Sequence, residues 1–472
     1  MYTFSSKLKS VAIGLMIIGA IGVAYGFFSS HKDFAQVEEM LASESHHGDG
    51  HGETANHHEA EADDSHAVDH AQGTEHAHDE VTHAVAPVHG EHAEVDEHTK
   101  HVNHVMHAMH NRPWSALYVA AFFFFMIALG VLAFYAVQYA AQAGWSPLLL
   151  RVMEGITAYM LPGALIVLGI AALSHYVGHN NIFVWMNPDM VDPSSEHYDK
   201  LVAGKKGWLN VGMFILRGLI FIGGWFLYRY FSRKFSIAQD KANDDKNFKK
   251  TFRISAAFLV FFLYTESMMS WDWIMSVDPH WFSTLFGWYV LAGMMVCGIT
   301  VISMITIYLK SKGYLPRVND SHIHDLAKFM FAFSIFWTYL WFSQFMLIWY
   351  SNIPEEVTYF VTRFQDYQLP FLGMVAMNFV FPLLVLMNSD YKRIPWFVIM
   401  AGIVILCGHY IDIFNMIMPA TVGDQWSIGI PEIFSMLFFA GLFIFIVFTA
   451  LTKAPLTPER NPFLKESEHF HY

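Results

Sequence analysis

The sequence predicts an all-α integral membrane protein of about ten transmembrane helices. Three observations carry this. Of the 472 residues 54% are hydrophobic and only 15% charged, against about 25% charged in a typical soluble domain. The mean hydropathy is +0.33. Ten apolar runs reach the roughly 20 residues that a bilayer-spanning helix needs, because lipid offers no partner for backbone N–H and C=O groups. A disordered chain, a coiled coil and a nucleic-acid binder are excluded on the same grounds. The net charge of −13 gives a polyanionic partner no basic surface to use.

Taken in order, the spans cover residues 11–28, 114–141, 152–173, 208–231, 252–275, 283–309, 327–350, 369–387, 396–419 and 433–451. Lys7 and Lys9 precede the first, which reads as a retained anchor over 1–29 rather than a cleaved signal sequence, since Ala24-Tyr25-Gly26 is a poor exit site. Lys and Arg crowd the loops that follow the fourth, sixth and eighth spans and the tail at 453–472, from Arg229 and Arg233 through Lys310, Lys392 and Arg460. The positive-inside rule then places both termini in the cytoplasm. Lys200, Lys205 and Lys206 run against that pattern.

Residues 30–113 form an outside, periplasmic loop rich in His and acid. Seventeen of the 27 histidines lie between His46 and His110. Its low complexity predicts a flexible, solvated segment. His46-His47, His57-His58 and the His76/His78 pair have affinity for metals but no fixed geometry. From His104 to His110 the spacing suits a helix leading into the second span. His175 and His179, four apart, are a weak two-ligand metal candidate that lacks a third ligand. The two cysteines, Cys297 and Cys407, lie in apolar runs and read as small buried hydrophobes. With no Cys-x-x-Cys, the chain itself holds neither a thiolate-ligated iron–sulfur cluster nor a covalently attached haem.

Ionisable side chains inside a bilayer are costly and mark functional candidates. At 1.5 Å per residue, Arg217, Glu266 and Asn378 fall roughly 13 Å from the outer end of their spans, His409 about 15 Å, Asp412 about 10 Å and Gln344 about 9 Å. They are expected to share one polar layer in the outer half, with far fewer polar groups in the inner half. His409 and Asp412, three apart, share a helix face that Asn415 extends. Arg217 and Glu266 are at equal predicted depth and suit an ion pair. Asp272 lies nearer the outer surface, and Tyr264, Ser267 and Ser270 supply hydroxyls between it and Glu266. These groups serve either a proton path or the locking of helices to one another.

Residues 264–289 read Tyr-Thr-Glu-Ser-Met-Met-Ser-Trp-Asp-Trp-Ile-Met-Ser-Val-Asp-Pro-His-Trp-Phe-Ser-Thr-Leu-Phe-Gly-Trp-Tyr. This stretch, above all Trp271 to Thr284, resembles the polysulfide-reductase-type (NrfD-like) integral membrane family, and within it the membrane subunits of bacterial alternative complex III. The resemblance covers roughly residues 112–455. The first span and the His-rich insert resemble the second of that complex's two paralogous membrane components. The resemblance implies two four-helix bundles, over 114–276 and 283–420, with a last helix over 431–452. It implies a subunit of a quinol:cytochrome c or electron-acceptor oxidoreductase of the bacterial inner membrane. Its partners would be a multihaem cytochrome c, an iron–sulfur subunit, the paralogous membrane subunit and a terminal oxidase, besides lipids. Haems and clusters would sit on those partners, and this chain would have at most a quinone or menaquinol contact. On the family stretch lie Glu266, Asp272, Asp278 and His280. With Arg217, His409 and Asp412 they are the proton-path candidates. Two other classes are weighed against this reading: a divalent-metal transporter with a His-rich loop, and a structural anchor for redox subunits.

Overall fold

The structure, a computed structural model, describes residues 2–48, 90–178 and 182–471. Among these, ten helices are long and apolar enough to cross a membrane. They are α1 (Ser6–Ser30), α2 (Gly90–Ala140), α3 (Pro147–Tyr176), α4 (Val211–Gln239) and α5 (Lys246–Trp273). The rest are α6 (Phe286–Ser311), α7 (Asp320–Ser351), α8 (Gln368–Leu386), α9 (Pro395–Thr421) and α10 (Ile430–Leu451). The predicted all-α membrane protein is therefore what the chain forms, and every predicted span has its helix. Two faces result, named here the Asp278 end and the Arg460 end. Both chain termini lie at the latter.

The chain divides into two compact units, residues 32–107 and the remainder. In the smaller unit the described ends of the His-rich segment are helical, over Phe34–Gly48 and from Gly90 onward. The flexible, solvated segment predicted from its low complexity is thus helical at both described ends. Val37, Val102 and Val105 are buried, and burying them offsets part of the ordering entropy that polar composition alone does not. The predicted helix through His104 and His110 is present, and it passes Pro113 without a break. The pairs at 57–58 and 76/78 lie outside the described residues.

In the larger unit the helices pack as the expected bundles. In the first, Phe125 of α2 meets the indoles of Trp225 on α4 and Trp273 on α5, with ring centroids 5.9 and 5.6 Å apart, and Leu168 of α3 closes on Gly218 of α4. In the second, Trp337 of α7 lies between Tyr289 of α6 and His409 of α9, at 5.6 and 5.2 Å, while Asn378 of α8 abuts Gly408 of α9. The bundles join where α2 crosses α6. Gly130 faces the Met294 carbonyl, and a Cβ on Gly298 would stand 2.9 Å from the Val131 nitrogen. Small residues let helix backbones approach this closely in lipid, where packing rather than the hydrophobic effect drives association. The outer pair, α1 and α10, uses the same device: Gly19, Gly22 and Gly26 receive Phe438, Phe434 and Pro431. The other face of α1 presents Ile17, Ile18, Ile21 and Phe28 outward.

The tail after α10 crosses the Arg460 end and ties its turns together. The Glu459 N–H donates to Asp240, Arg460 to the Ala242 carbonyl, and the Ser467 hydroxyl to the Trp145 carbonyl.

Candidate functional site

At the Asp278 end a cavity of about 470 Å³ opens between two lips. One lip is the segment before α4, with Lys205 and Trp208; the other is the α5–α6 turn, with Asp278, Pro279 and Phe282. Trp271, Asp272 and Met275 come from the last turn of α5 and its exit. The lips are bridged twice. His280 Nε2 lies 2.5 Å from Asp199 Oδ2, and Lys205 Nζ donates to the Pro279 carbonyl at 2.6 Å. The hydrogen bond from His280 holds the Asp199 carboxyl below the usual carboxylate range. Burial lowers the Lys205 ammonium from its ordinary value. Asp278 accepts the His280 backbone N–H at 3.2 Å, which closes a turn rather than capping a helix, since the next helix begins only at Phe286.

Asp272 is buried on the cavity wall and fully occupied. Its Oδ2 accepts from Arg217 Nε at 2.6 Å and its Oδ1 from Trp208 Nε1 at 2.8 Å. The Arg217 guanidinium lies 4.2 Å from the Trp208 ring centroid, and its Nη2 has no acceptor among the described residues. The expected Arg217–Glu266 pair is thus corrected to Arg217–Asp272. Helix α4 begins at Val211 rather than Trp208, which brings Arg217 nearly a turn closer to the Asp278 end. Glu266 and Asp272, six residues apart, point some 120° apart around α5. Glu266 is instead buried beside Ser270, whose hydroxyl donates to Oε1 at 3.1 Å. Tyr264, expected to link these acids, is 69% exposed and faces outward.

The second bundle holds its own cluster. His409 Nδ1 lies 3.3 Å from Asp412 Oδ2, as the three-residue spacing predicts. Asp412 also accepts from Trp337 Nε1 at 2.9 Å and from the Tyr289 hydroxyl. His409 Nε2, both polar atoms of Asn378, Gln344 Oε1 and Asn415 Oδ1 are buried without partners among the described residues. Asn378 sits in a π-helical turn, Ala376–Val380, a local widening frequent at functional sites. Thus the candidates form three separate groups rather than one layer. Arg217, Asp272, Asp278 and His280 surround the cavity; Glu266 stands alone; His409 and Asp412 belong to the other bundle.

Arg363 escaped the sequence reading. It lies on Pro354–Gln365, a helix between α7 and α8 that is too short to span. It is buried, donates to the Asn415 and Tyr359 carbonyls at 3.1 and 2.8 Å, and stacks on the Tyr359 ring. Burial lowers its guanidinium from the ordinary value. Tyr359 in turn stacks on Trp281 at 3.9 Å, and Trp281 lines the cavity. The strong amphipathic pattern of residues 354–365 was the available signal.

The expectation of few polar groups at the Arg460 end is also corrected. Arg151 pairs there with Glu154 at 3.1 Å and with Asp240 at 2.5 Å, and Tyr135 and Ser236 donate to Glu154. The third helix starts before residue 152, so Arg151 is inside the bundle rather than at its edge. Cys297 is buried as predicted, but Cys407 is only half-buried. Among the described residues no three His, Cys, Asp or Glu side chains converge on a metal-sized site; His179 lies outside them. In comparisons with known proteins, neither a protein-family model nor a curated protein matches this chain.

Proposed function

We propose that this chain is a membrane subunit of a respiratory quinol:electron-acceptor oxidoreductase of the alternative complex III type, that a quinol head group enters the cavity at the Asp278 end, and that the released protons leave by the adjoining acids. The observation that carries this reading is the make-up of the cavity. Its volume lies in the range of small-molecule sites. Its walls are mostly aromatic and apolar, which suits a flat, lipid-soluble ring. Trp271 and Trp281 line the cavity, and their indole N–H groups are buried behind its surface with no acceptor among the described residues; buried donors left unsatisfied are costly. A quinone carbonyl is an acceptor of the right kind. Asp272 is the base beside them.

Arg217 and the Trp208 indole hold Asp272 in place, so a quinol hydroxyl would meet an oriented carboxylate. Asp278 and the His280–Asp199 pair lie between that carboxylate and solvent, and they offer a proton relay over the lip. On the positive-inside argument the Asp278 end is periplasmic, the side where quinol protons are released. Electrons would pass to partners that carry the iron–sulfur cluster and covalently attached haems, since the sequence has no Cys-x-x-Cys for either. His409 and Asp412 form a second proton-holding pair within the other bundle. A divalent-metal transporter fits less well, because Asp272 and Glu154 are each bound to an arginine that would repel a dication.

The test is quinol oxidation in native membranes. Trp271→Phe and Trp281→Phe keep the aromatic wall and remove the N–H. Each hydrogen bond lost at about 1.4 kcal/mol raises the KM for a naphthoquinol roughly tenfold. His409→Ala lowers the H+/e− ratio while the complex still assembles. Unchanged KM in both tryptophan variants would remove quinol from this cavity. An unchanged ratio in the third would leave the His409–Asp412 pair a structural lock.

A further inference from the structure

The Arg460 end carries a second site, independent of the functional reading above. Lys249 and Arg253 are four residues apart on the first two turns of α5 and so share a face. Both are exposed, and their side chains form no hydrogen bond or ion pair with any described residue. They line a cavity of about 360 Å³ whose apolar wall is Phe248, Phe252 and Phe463. Gln142 adds an amide, and Asp245 stands at the rim as the single acid against two cations.

The surface beyond Arg253 decides what fits. The outward face of α5 continues as Ala256, Ala257, Val260 and Tyr264, all exposed. Ala256 and Ala257 are short, so the face above Arg253 is apolar and carries no bulky side chain until Val260. Arg253 lies seven residues into α5, about 10 Å along its axis, with apolar surface directly above it. A guanidinium at that level sits at the boundary of head groups and acyl chains, where it needs an anion and cannot retreat into lipid. Basic pockets of this kind, on the Lys- and Arg-rich side of a membrane protein, match a lipid phosphate with its chains.

We propose that this cavity binds an anionic phospholipid, its phosphate held by Lys249 and Arg253 and its acyl chains lying along Ala256, Ala257 and Val260. The test uses the full chain in detergent, titrated with phosphatidylglycerol and, separately, phosphatidylcholine, with bound lipid read by native mass spectrometry. Phosphatidylglycerol is expected to bind at least tenfold more tightly than phosphatidylcholine. Lys249→Gln/Arg253→Gln is expected to abolish that preference. The charge-keeping swap Lys249→Arg/Arg253→Lys is expected to retain it, so a poorly folded glutamine variant does not decide the matter alone. Equal binding of the two lipids to the unaltered chain would overturn the proposal. So would a preference that survives in a folded glutamine variant. If inorganic phosphate at millimolar concentration displaces the lipid completely, the site is one for a free anion and the proposal fails.

Discussion

The Arg217–Asp272 pair gives the sharpest test of how the first bundle is held. Asp272→Asn keeps Oδ1 as acceptor for Trp208 but places an NH2 where Oδ2 accepts from Arg217 Nε at 2.6 Å. Donor then faces donor, and a guanidinium only 8% exposed loses its counter-charge. Breaking one side of a buried pair costs about 3–5 kcal/mol. Arg217 keeps its bond to the Trp208 carbonyl and its stack on that indole, so the loss is set at the low end, about 3 kcal/mol. Arg217→Leu is expected to cost about as much, because it strands the carboxylate. The double variant removes both charges and should cost less than either single change, a coupling of about 3 kcal/mol or more. The measurement is reversible unfolding in mixed micelles, followed by circular dichroism. Additive losses, with the double variant near twice the single, would refute the argument that this pair is stabilised by mutual neutralisation.

Two further outcomes are expected. Gly298→Val sets a side chain against the Val131 nitrogen at the α2–α6 crossing; overpacking of about 1–3 kcal/mol should lower the unfolding midpoint in the same assay, and Gly169→Val, with open space around its Cβ, should not. The Asp199 carboxyl is depressed by its bond to His280, so its contribution to closing the lips is present above the ordinary carboxylate value of about 3.9 and is lost as pH falls through the depressed value. Proteolysis of the segment around residues 192–207 should accordingly stay slow from pH 8 to about pH 4 and rise below that, while Asp199→Asn should make it fast throughout; a profile that begins to rise near pH 6 in the unaltered chain would contradict this assignment.

The helices were legible because each needs only length and apolarity, and local sequence supplies both. The His409–Asp412 contact was legible because a three-residue spacing within one helix has a single geometry. The partner of Arg217 was not, since it depends on where α4 begins, and a shift of three residues moves a side chain about 4.5 Å along the axis. Tyr289 and Trp337 were missed for another reason. Each reads as part of an apolar aromatic face, and only assembly shows that their O–H and N–H converge on Asp412. Arg151 was missed because the third span was drawn from residue 152, whereas the helix begins at Pro147 and buries Arg151 along with Glu154.

The two polar groups are separate in space but not in mechanics. The α2–α6 crossing is closed by glycine against backbone, leaving no room for a file of polar groups between the bundles there. What joins the groups is the other side of the cavity. Trp281 forms part of the cavity wall and stacks on Tyr359; Tyr359 carries the Arg363 guanidinium; Arg363 bonds the carbonyl of Asn415, one turn beyond Asp412. Occupation of the cavity therefore bears on α9 through four packed residues, each held by a stack or a hydrogen bond. If the cavity takes a quinol as proposed, this chain of contacts is the structural link between it and the His409–Asp412 pair. Arg363→Lys keeps the charge but loses the planar stack on Tyr359 and the Nε bond to the Asn415 carbonyl, so it is expected to loosen this link, read as a lower unfolding midpoint in the assay above.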